Sequence, residues 1–262
     1  MIRGGFARRV PGDLPPSPCF RLDLASIPYG AALDLQHRLV DLRRQERLCQ
    51  DLVLFLEHPP VFTLGRRGGR EYIRVPGEAL AAAGIQVVQT ERGGFITYHG
   101  PGQLVAYLIL DLRRRRLGVD ALVTALEDAM IATAADFGVG AGRHPRNRGV
   151  WTGERKLGSI GLAVRHGISF HGLALNVTTD LTPFGWILPC GLAEVAMTSL
   201  QAAGTRPVNL PAAREALAAH LGRALALAWT PMGAEALAEM MADSGNAPGG
   251  APEALSRRNP VG

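Results

Sequence analysis

The chain has 262 residues, 47% hydrophobic and 19% charged, which excludes a mainly disordered protein and suffices for one large α/β domain or two small ones. A formal net charge of +5 comes without any RNA or DNA motif, so it argues against nucleic-acid binding and suits an acidic protein partner. The three cysteines, Cys19, Cys49 and Cys190, form no CxxC pair and have no histidine at zinc-ligand spacing, so neither a disulfide framework nor a metal site is expected.

No apolar run of signal-peptide type opens the chain and none reaches the ~18 residues of a membrane span, so a cytoplasmic location is expected. Residues 1–20 and 244–262 are rich in Gly, Pro and Arg and read as mobile tails around a single domain over 21–243. Ala32, Leu35, Leu39 and Leu42 recur at helical spacing, and the apolar residues 52–56 read as a buried strand. Glu57-His-Pro-Pro60 interrupts it, 61–64 resumes extended structure, and 65–69 is a glycine-rich loop bearing arginines. A short helix is expected over 76–83.

Strand signals then cluster at 85–89, 95–98 and 103–110, taken together as the centre of the sheet. The arginine run 113–116 reads as a solvated turn. An amphipathic helix follows, with Val119, Leu122, Val123, Leu126, Met130 and Phe137 on one face and Gly138 past its end. Residues 149–152, 156–165 and 168–177 read as three more strands, the last two joined by the turn Arg165-His-Gly167. After Pro211 the pattern is helical through Trp229, and again over 234–242. Strands interleaved with helices and hairpins predict an α/β (α+β) domain with a mixed sheet flanked by helices.

Three segments carry potential chemistry. In residues 92–103, RGGFITYHGPGQ, paired glycines let backbone approach a ligand and a Gly-Pro-Gly turn fixes the end of a strand bearing Tyr98 and His99. Hairpin turns with a histidine satisfying a local carbonyl would look the same. In 149–163 Lys156 precedes a strand in which Gly158, Ser159 and Gly161 leave little bulk, as an extended acyl chain lying alongside requires. A solvated lysine is the alternative there. Cys190 stands between Pro189 and Gly191, a turn that exposes sulfur and backbone N–H groups, although free cysteines are commonly small buried hydrophobes.

Together these segments resemble the lipoyl(octanoyl) transferase family, over about residues 52–200. The family's signature RGGxxTYHGPGQLVxYxIxDL stands as RGGFITYHGPGQLVAYLILDL at 92–112. A GVW strand with a following lysine and SIG strand stands as GVWTGERKLGSIG, a YHGxALNV-like strand as SFHGLALNV at 169–177, and the nucleophile turn as Pro189-Cys-Gly191. Phe95 and Ile96 are apolar where relatives usually carry a polar or acidic residue, and Phe170 replaces the commoner tyrosine.

The resemblance implies a fold similar to the biotin and lipoate protein ligases and a thioester exchange without ATP or other cofactor. Octanoyl-acyl carrier protein would donate, and lipoyl domains of 2-oxoacid dehydrogenases or the glycine-cleavage H protein would accept. By this resemblance Cys190 forms the acyl-thioester and Lys156 is its acid/base partner. Arg92, Gly93, Gly94, Phe95, Ile96, Thr97, Tyr98, His99, Ser159, Ile160, Gly161, Gly172, Leu173 and Ala174 would line the acyl pocket. The residues agree with such chemistry: a neighbouring cation favours a thiolate, and burial beside an apolar chain would let a lysine release its proton. Backbone N–H groups around Cys190 and Gly191, with His99 or His171, would stabilise the tetrahedral oxyanion. An ATP-dependent lipoate or biotin ligase would share the fold without needing Cys190, and a non-catalytic carrier-binding protein is the remaining alternative.

Overall fold

A computed structural model describes residues 16–145, 147–188 and 195–242. The predicted helical stripe becomes α1 (Tyr29–Arg44), with Ala32, Leu35, Leu39 and Leu42 buried. Strand β1 (Ser17–Ser26) precedes it and β2 (Asp51–Glu57) follows. Along β2 the side chains alternate between two cores, Leu52, Leu54 and Leu56 on one side and Val53 and Phe55 on the other. That explains why a strand with a period of 2 is apolar throughout: it is covered on both faces.

The covering helices are α3 (Val119–Asp136) and α5 (Leu210–Leu225) on one face and α1 on the other. The sheet between them runs β12 (Leu227–Pro231), β1, β2, β6 (Gln103–Ile109), β10 (Ile168–Asn176), β9 (Arg155–Arg165), β8 (Asn147–Thr152), β7 (Gly142–His144). β1 lies parallel to both neighbours, and from β2 to β7 each pairing is antiparallel, so the sheet is mixed as expected. The short β11 (Ala196–Met197) pairs with the start of β9. Helices α2 (Gly77–Ala82), α4 (Leu200–Ala203) and α6 (Ala234–Ala242) complete the α-helices among the described residues. The turn joining β9 to β10 has positive φ at both His166 (55°) and Gly167 (86°), the primed geometry that matches strand twist. No helix among the described residues is long and apolar enough to cross a membrane.

Four expectations are corrected. Residues 85–89 and 95–98 do not join the central sheet: β4 (Gln86–Gln89) and β5 (Ile96–His99) flank β3 (Val61–Leu64) in a second, three-stranded sheet with its own core around Phe62, Tyr98 and Phe184. The Gly100-Pro-Gly102 turn does not fold β5 back on β6, because it is tied elsewhere: the Gly102 amide donates to the Glu57 carboxylate at 2.7 Å, and the Gly102 carbonyl accepts from the amides of Val177 and Thr178. The helical run predicted through Trp229 ends at Leu225, where Ala226 turns left-handed (φ 50°) and β12 begins. An apolar run of this length fits either period, and the open edge of β1 decides in favour of a strand. Ser17 to Phe20, inside the segment expected to be mobile, is paired with β12, and Cys19 and Phe20 also with β2; residues 1–15 and the C-terminal tail lie outside the described residues.

The fourth correction concerns the arginine run. Arg115 is not solvated: its guanidinium is buried and donates to Asp51 Oδ2 at 3.1 Å, while Arg43 donates to Asp51 Oδ1 at 2.6 Å. One buried carboxylate thus serves two buried cations between α1, β2 and the 113–116 turn. Removing one partner of a buried ionic group leaves uncompensated charge, at a cost of about 3–5 kcal/mol. Asp51→Ala should lower the unfolding free energy by that amount, seen in equilibrium urea denaturation as a lower midpoint with little change in the slope.

Candidate active site

A cavity of about 660 Å³ lies over β9 and β10, bordered by β5 and the loop at 92–95. Backbone bonds hold that loop in place: the Gly93 amide donates to the Leu162 carbonyl at 2.9 Å, and the carbonyls of Arg92 and Gly94 accept from the amides of Arg66 and Arg67 at 3.0 Å. Gly94 needs its φ of 93° for this path. Arg92 is buried and points into the small sheet, donating to the Thr63 carbonyl at 2.6 Å and the Thr63 hydroxyl at 2.8 Å. A Cβ at Gly161 would meet Arg92 Cδ at 3.0 Å and the Gly93 carbonyl at 3.3 Å, so that glycine sets how closely the loop seats on β9.

Lys156 stands at one end of the cavity. It is 4% exposed, its ammonium donates to Asn147 Oδ1 at 2.9 Å, and it lies 5.5 Å from the Trp151 ring centroid. The backbone beside it is shared: the Lys156 carbonyl accepts from the Thr198 amide at 2.9 Å, and Met197 pairs opposite Lys156. A line of hydrogen bonds ties this end to β5. His99 Nδ1 donates to Gln103 Oε1 at 2.6 Å, Gln103 Nε2 to Asn176 Oδ1 at 2.9 Å, and Asn176 Nδ2 to the Thr198 carbonyl at 2.9 Å.

The other end is a group of aromatic and imidazole rings. Tyr29 stacks on His99 with centroids 5.9 Å apart, and Tyr107 meets His171 edge-on at 6.2 Å. His58 Nδ1 donates to the Ile27 carbonyl and its Nε2 accepts from the Tyr107 hydroxyl, both at 2.7 Å, which fixes its tautomer. Burial keeps these histidines neutral: His58 is pushed down to about 4, His171 to about 3 by burial and then by Arg92, and His99 well below its ordinary value. Burial likewise raises Tyr29 to about 12, so its phenol stays protonated.

His171 reaches this group through an unusual backbone. Its φ is 56° in the middle of a buried strand, a conformation costing a non-glycine residue roughly 1–3 kcal/mol. The surrounding residues absorb the departure from the ladder. The Ser169 hydroxyl accepts from the Leu110 amide and donates to the Leu108 carbonyl, Gln36 Oε1 accepts the His171 amide at 2.7 Å, and Gly172 closes onto the Ala106 carbonyl so tightly that a Cβ would sit 2.0 Å from it. Successive strand side chains ordinarily point to opposite faces. Here Phe170 and His171 stack at 4.9 Å.

Lys156, Arg92, Gly93, Gly94, Phe95, Ile96, Thr97, His99, Ser159, Ile160, Gly161, Gly172, Leu173 and Ala174 all line the cavity. Tyr98 does not: it alternates with Thr97 and His99 and turns into the small core, its ring 5.8 Å from Phe62 and 5.4 Å from Phe184. Cys190 lies outside the described residues. The cavity also takes in Tyr29, Tyr107 and Asn147, which the sequence reading missed. Tyr107, within the otherwise apolar strand LVAYLIL, and His58, closing LVLFLEH, were polar interruptions of buried runs and could have been flagged. Asn147 carries no such mark.

The neutral histidines make stability depend on pH. Above pH ~6.5 they are neutral folded or unfolded; below it the unfolded chain takes up protons that His58 in the folded protein refuses until about 4. The folded state should therefore lose about 1.4 kcal/mol per pH unit from this residue as pH falls from 6.5 to 4. His58→Gln should flatten that part of the profile, measured by denaturation at pH 7, 5.5 and 4.5, whatever its effect on stability at pH 7.

With the geometry in place, known proteins can be compared. The lipoyl protein ligase A/B catalytic domain model matches residues 28–222. An octanoyltransferase of Desulfotalea psychrophila is 54% identical over 71% of this chain and 85% of its own length, and one of Syntrophobacter fumaroxidans is 45% identical over 80% of this chain and 92% of its own. Among solved structures, lipoate-protein ligase A bound with ATP superposes with a TM-score of 0.67 at 17% identity, covering 86% of this chain and 93% of that one, a likeness of fold. A bipartite lipoate protein ligase of Thermoplasma acidophilum gives a TM-score of 0.65 at 16% identity over 87% and 91% of the two chains. The mixed sheet, the cavity over β9 and β10 and these matches together show that the chain belongs to the lipoyl protein ligase A/B catalytic domain family.

Proposed function

We propose that this chain is an octanoyltransferase that passes an octanoyl group from an acyl-carrier thioester to the lysine of a lipoyl domain, through Cys190 with Lys156 as acid/base partner. The observation that carries the reading is Lys156: a buried ammonium oriented by Asn147 in the wall of the cavity, in a chain 54% identical to an octanoyltransferase. A buried cation facing a site for a reacting thioester can supply the proton that the leaving carrier thiolate needs. The chain length between them is compatible with Cys190 working beside it. Ala196 pairs opposite Arg155, and six residues of chain reach at most about 20 Å.

In the first step the Cys190 thiolate attacks the octanoyl carbonyl carbon. A new C–S bond forms, the carrier's C–S bond breaks, and the Lys156 ammonium protonates the departing thiolate. In the second, the acceptor lysine amine attacks the enzyme thioester, a C–N bond replaces the C–S bond, and Lys156 takes the proton the amine must lose. The tetrahedral oxyanion of each step is left to backbone N–H donors near the thiol rather than to His171, which pairs opposite Leu162, six residues along β9 from Lys156 or about 20 Å of strand. His99 is joined toward the Lys156 end through Gln103 and Asn176. A reducing cytoplasm suits a reactive thiol, and octanoyl-acyl carrier protein as donor with 2-oxoacid dehydrogenase lipoyl domains and the glycine-cleavage H protein as acceptors is the fullest form of the proposal.

Cys190→Ala should abolish both the acyl-enzyme, seen as a hydroxylamine-labile octanoyl mass on the intact protein, and turnover. Cys49→Ala should leave both unchanged, since that thiol is exposed and outside the cavity, and so should Cys19→Ala, whose thiol is buried in the core and pushed well above its ordinary value by burial. Lys156→Arg keeps the positive charge but cannot act as a base. With no proton to give or take, it should form octanoyl on Cys190 slowly and then stall, transfer to the lipoyl-domain lysine falling by about 10² or more. Transfer from ATP and free octanoate surviving Cys190→Ala would instead establish the ligase reaction.

A further inference from the structure

We infer that the ring of His171 is the end wall of the acyl channel and sets the longest acyl chain the enzyme transfers. The inference rests on the octanoyl-transfer reading for the direction of the channel: the reacting carbonyl beside Lys156, the chain running along β9 and β10, its methyl end at the ring group. Three observations single out His171 from the other rings there.

First, its position is made by backbone rather than by side-chain choice. A left-handed residue in a buried strand, bracketed by the Ser169 hydroxyl, Gln36 and the Cβ-intolerant Gly172, turns a side chain that would otherwise enter the neighbouring core toward the cavity. Strain of that kind persists where the surroundings over-determine it, and such places are functional more often than chance. Second, the imidazole gains little from hydrogen bonding. Its Nε2 is buried without a partner and its Nδ1 lies 3.5 Å from the Tyr29 hydroxyl, at the outer limit of a hydrogen bond. A polar ring held so expensively is there for its shape and place. Third, the ring cannot yield: it is stacked on Phe170 at 4.9 Å and meets Tyr107 edge-on, so a longer chain has no soft side chain to push aside.

The wall also has a replacement that fits the backbone. Glycine adopts a φ of 56° without strain, so His171→Gly should keep the strand path while opening the end of the channel. Asparagine tolerates the same conformation with a smaller side chain. The test measures wild type, His171→Gly and His171→Asn with hexanoyl, octanoyl, decanoyl and dodecanoyl carrier as donors. In parallel, calorimetry measures binding of the corresponding free fatty acids, with thermal unfolding recorded for each protein. The expected result is a dodecanoyl-to-octanoyl ratio at least tenfold higher in His171→Gly than in wild type, in both transfer and binding, with an intermediate rise in His171→Asn. Should His171→Gly fail to fold, His171→Asn carries the test.

Ratios within twofold of wild type in the folded variants, or equal losses at every length, would overturn the assignment. A wild type that transfers no acyl group, while fatty-acid binding still lengthens in the variants, would remove the transferase reading and leave the wall standing. No binding and no transfer at any length would remove both.

Discussion

The pairing of β9 with β10 is the constraint on which the rest of the molecule depends. The two strands run antiparallel from Ile168 opposite Arg165 to Leu175 opposite Gly158, and nearly every group of interest is fixed by that register. Lys156 lies just beyond its near end and His171 near its middle, so the register itself sets the length of the space between them. The 92–95 loop is measured from the same strand, through the Gly93 bond to Leu162 and the contact of Arg92 with Gly161. A one-residue slip would reverse every side chain along it, so a two-sided core of leucines guards the site geometry as firmly as it guards the fold.

The two ends of the cavity are chemically opposite. At one, an ammonium is kept within the protein by an amide oxygen and the face of an indole. At the other, three imidazoles and two phenols stay uncharged because burial penalises their ionised forms, and Arg92, itself satisfied by Thr63, adds a positive field against protonation of His99 and His171. The aromatic end can therefore be polar in composition and still present no charge to an apolar chain. In the proposed transfer, this separation of a charged end from a neutral one would orient an amphiphilic thioester along the cavity.

Much of this was legible in the sequence because its signals are local. The alternation of β2, the stripe of α1 and the glycine turns follow from periodicity and dihedral limits alone, and the RGG and SIG segments, Tyr98 apart, stand in the cavity wall. What was not legible depends on partners distant in the chain. Whether 85–98 joins the central sheet is decided by Glu57 and by Val177 and Thr178 holding Gly102; whether Trp229 is helical is decided by β1; whether Arg115 is solvated is decided by Asp51. His171 illustrates the point further: FHG reads as an ordinary stretch of strand, and only the amide acceptor Gln36, 135 positions away, shows that it is not.

The place of β1 in the sheet bears on how the chain is made. This first strand lies between β2 and β12 and is parallel to both, so the earliest described residues wait on nearly the last for one of their two ladders. Long-range parallel pairing is slow because a large loop must close before any bond repays it. During synthesis the site-bearing strands β6, β9 and β10 can assemble while β1 still presents an open edge, an invitation to pair with another nascent chain until residues 227–231 emerge. Truncation just before β12 would thus leave the cavity-lining strands in place and turn a paired edge into an adhesive one.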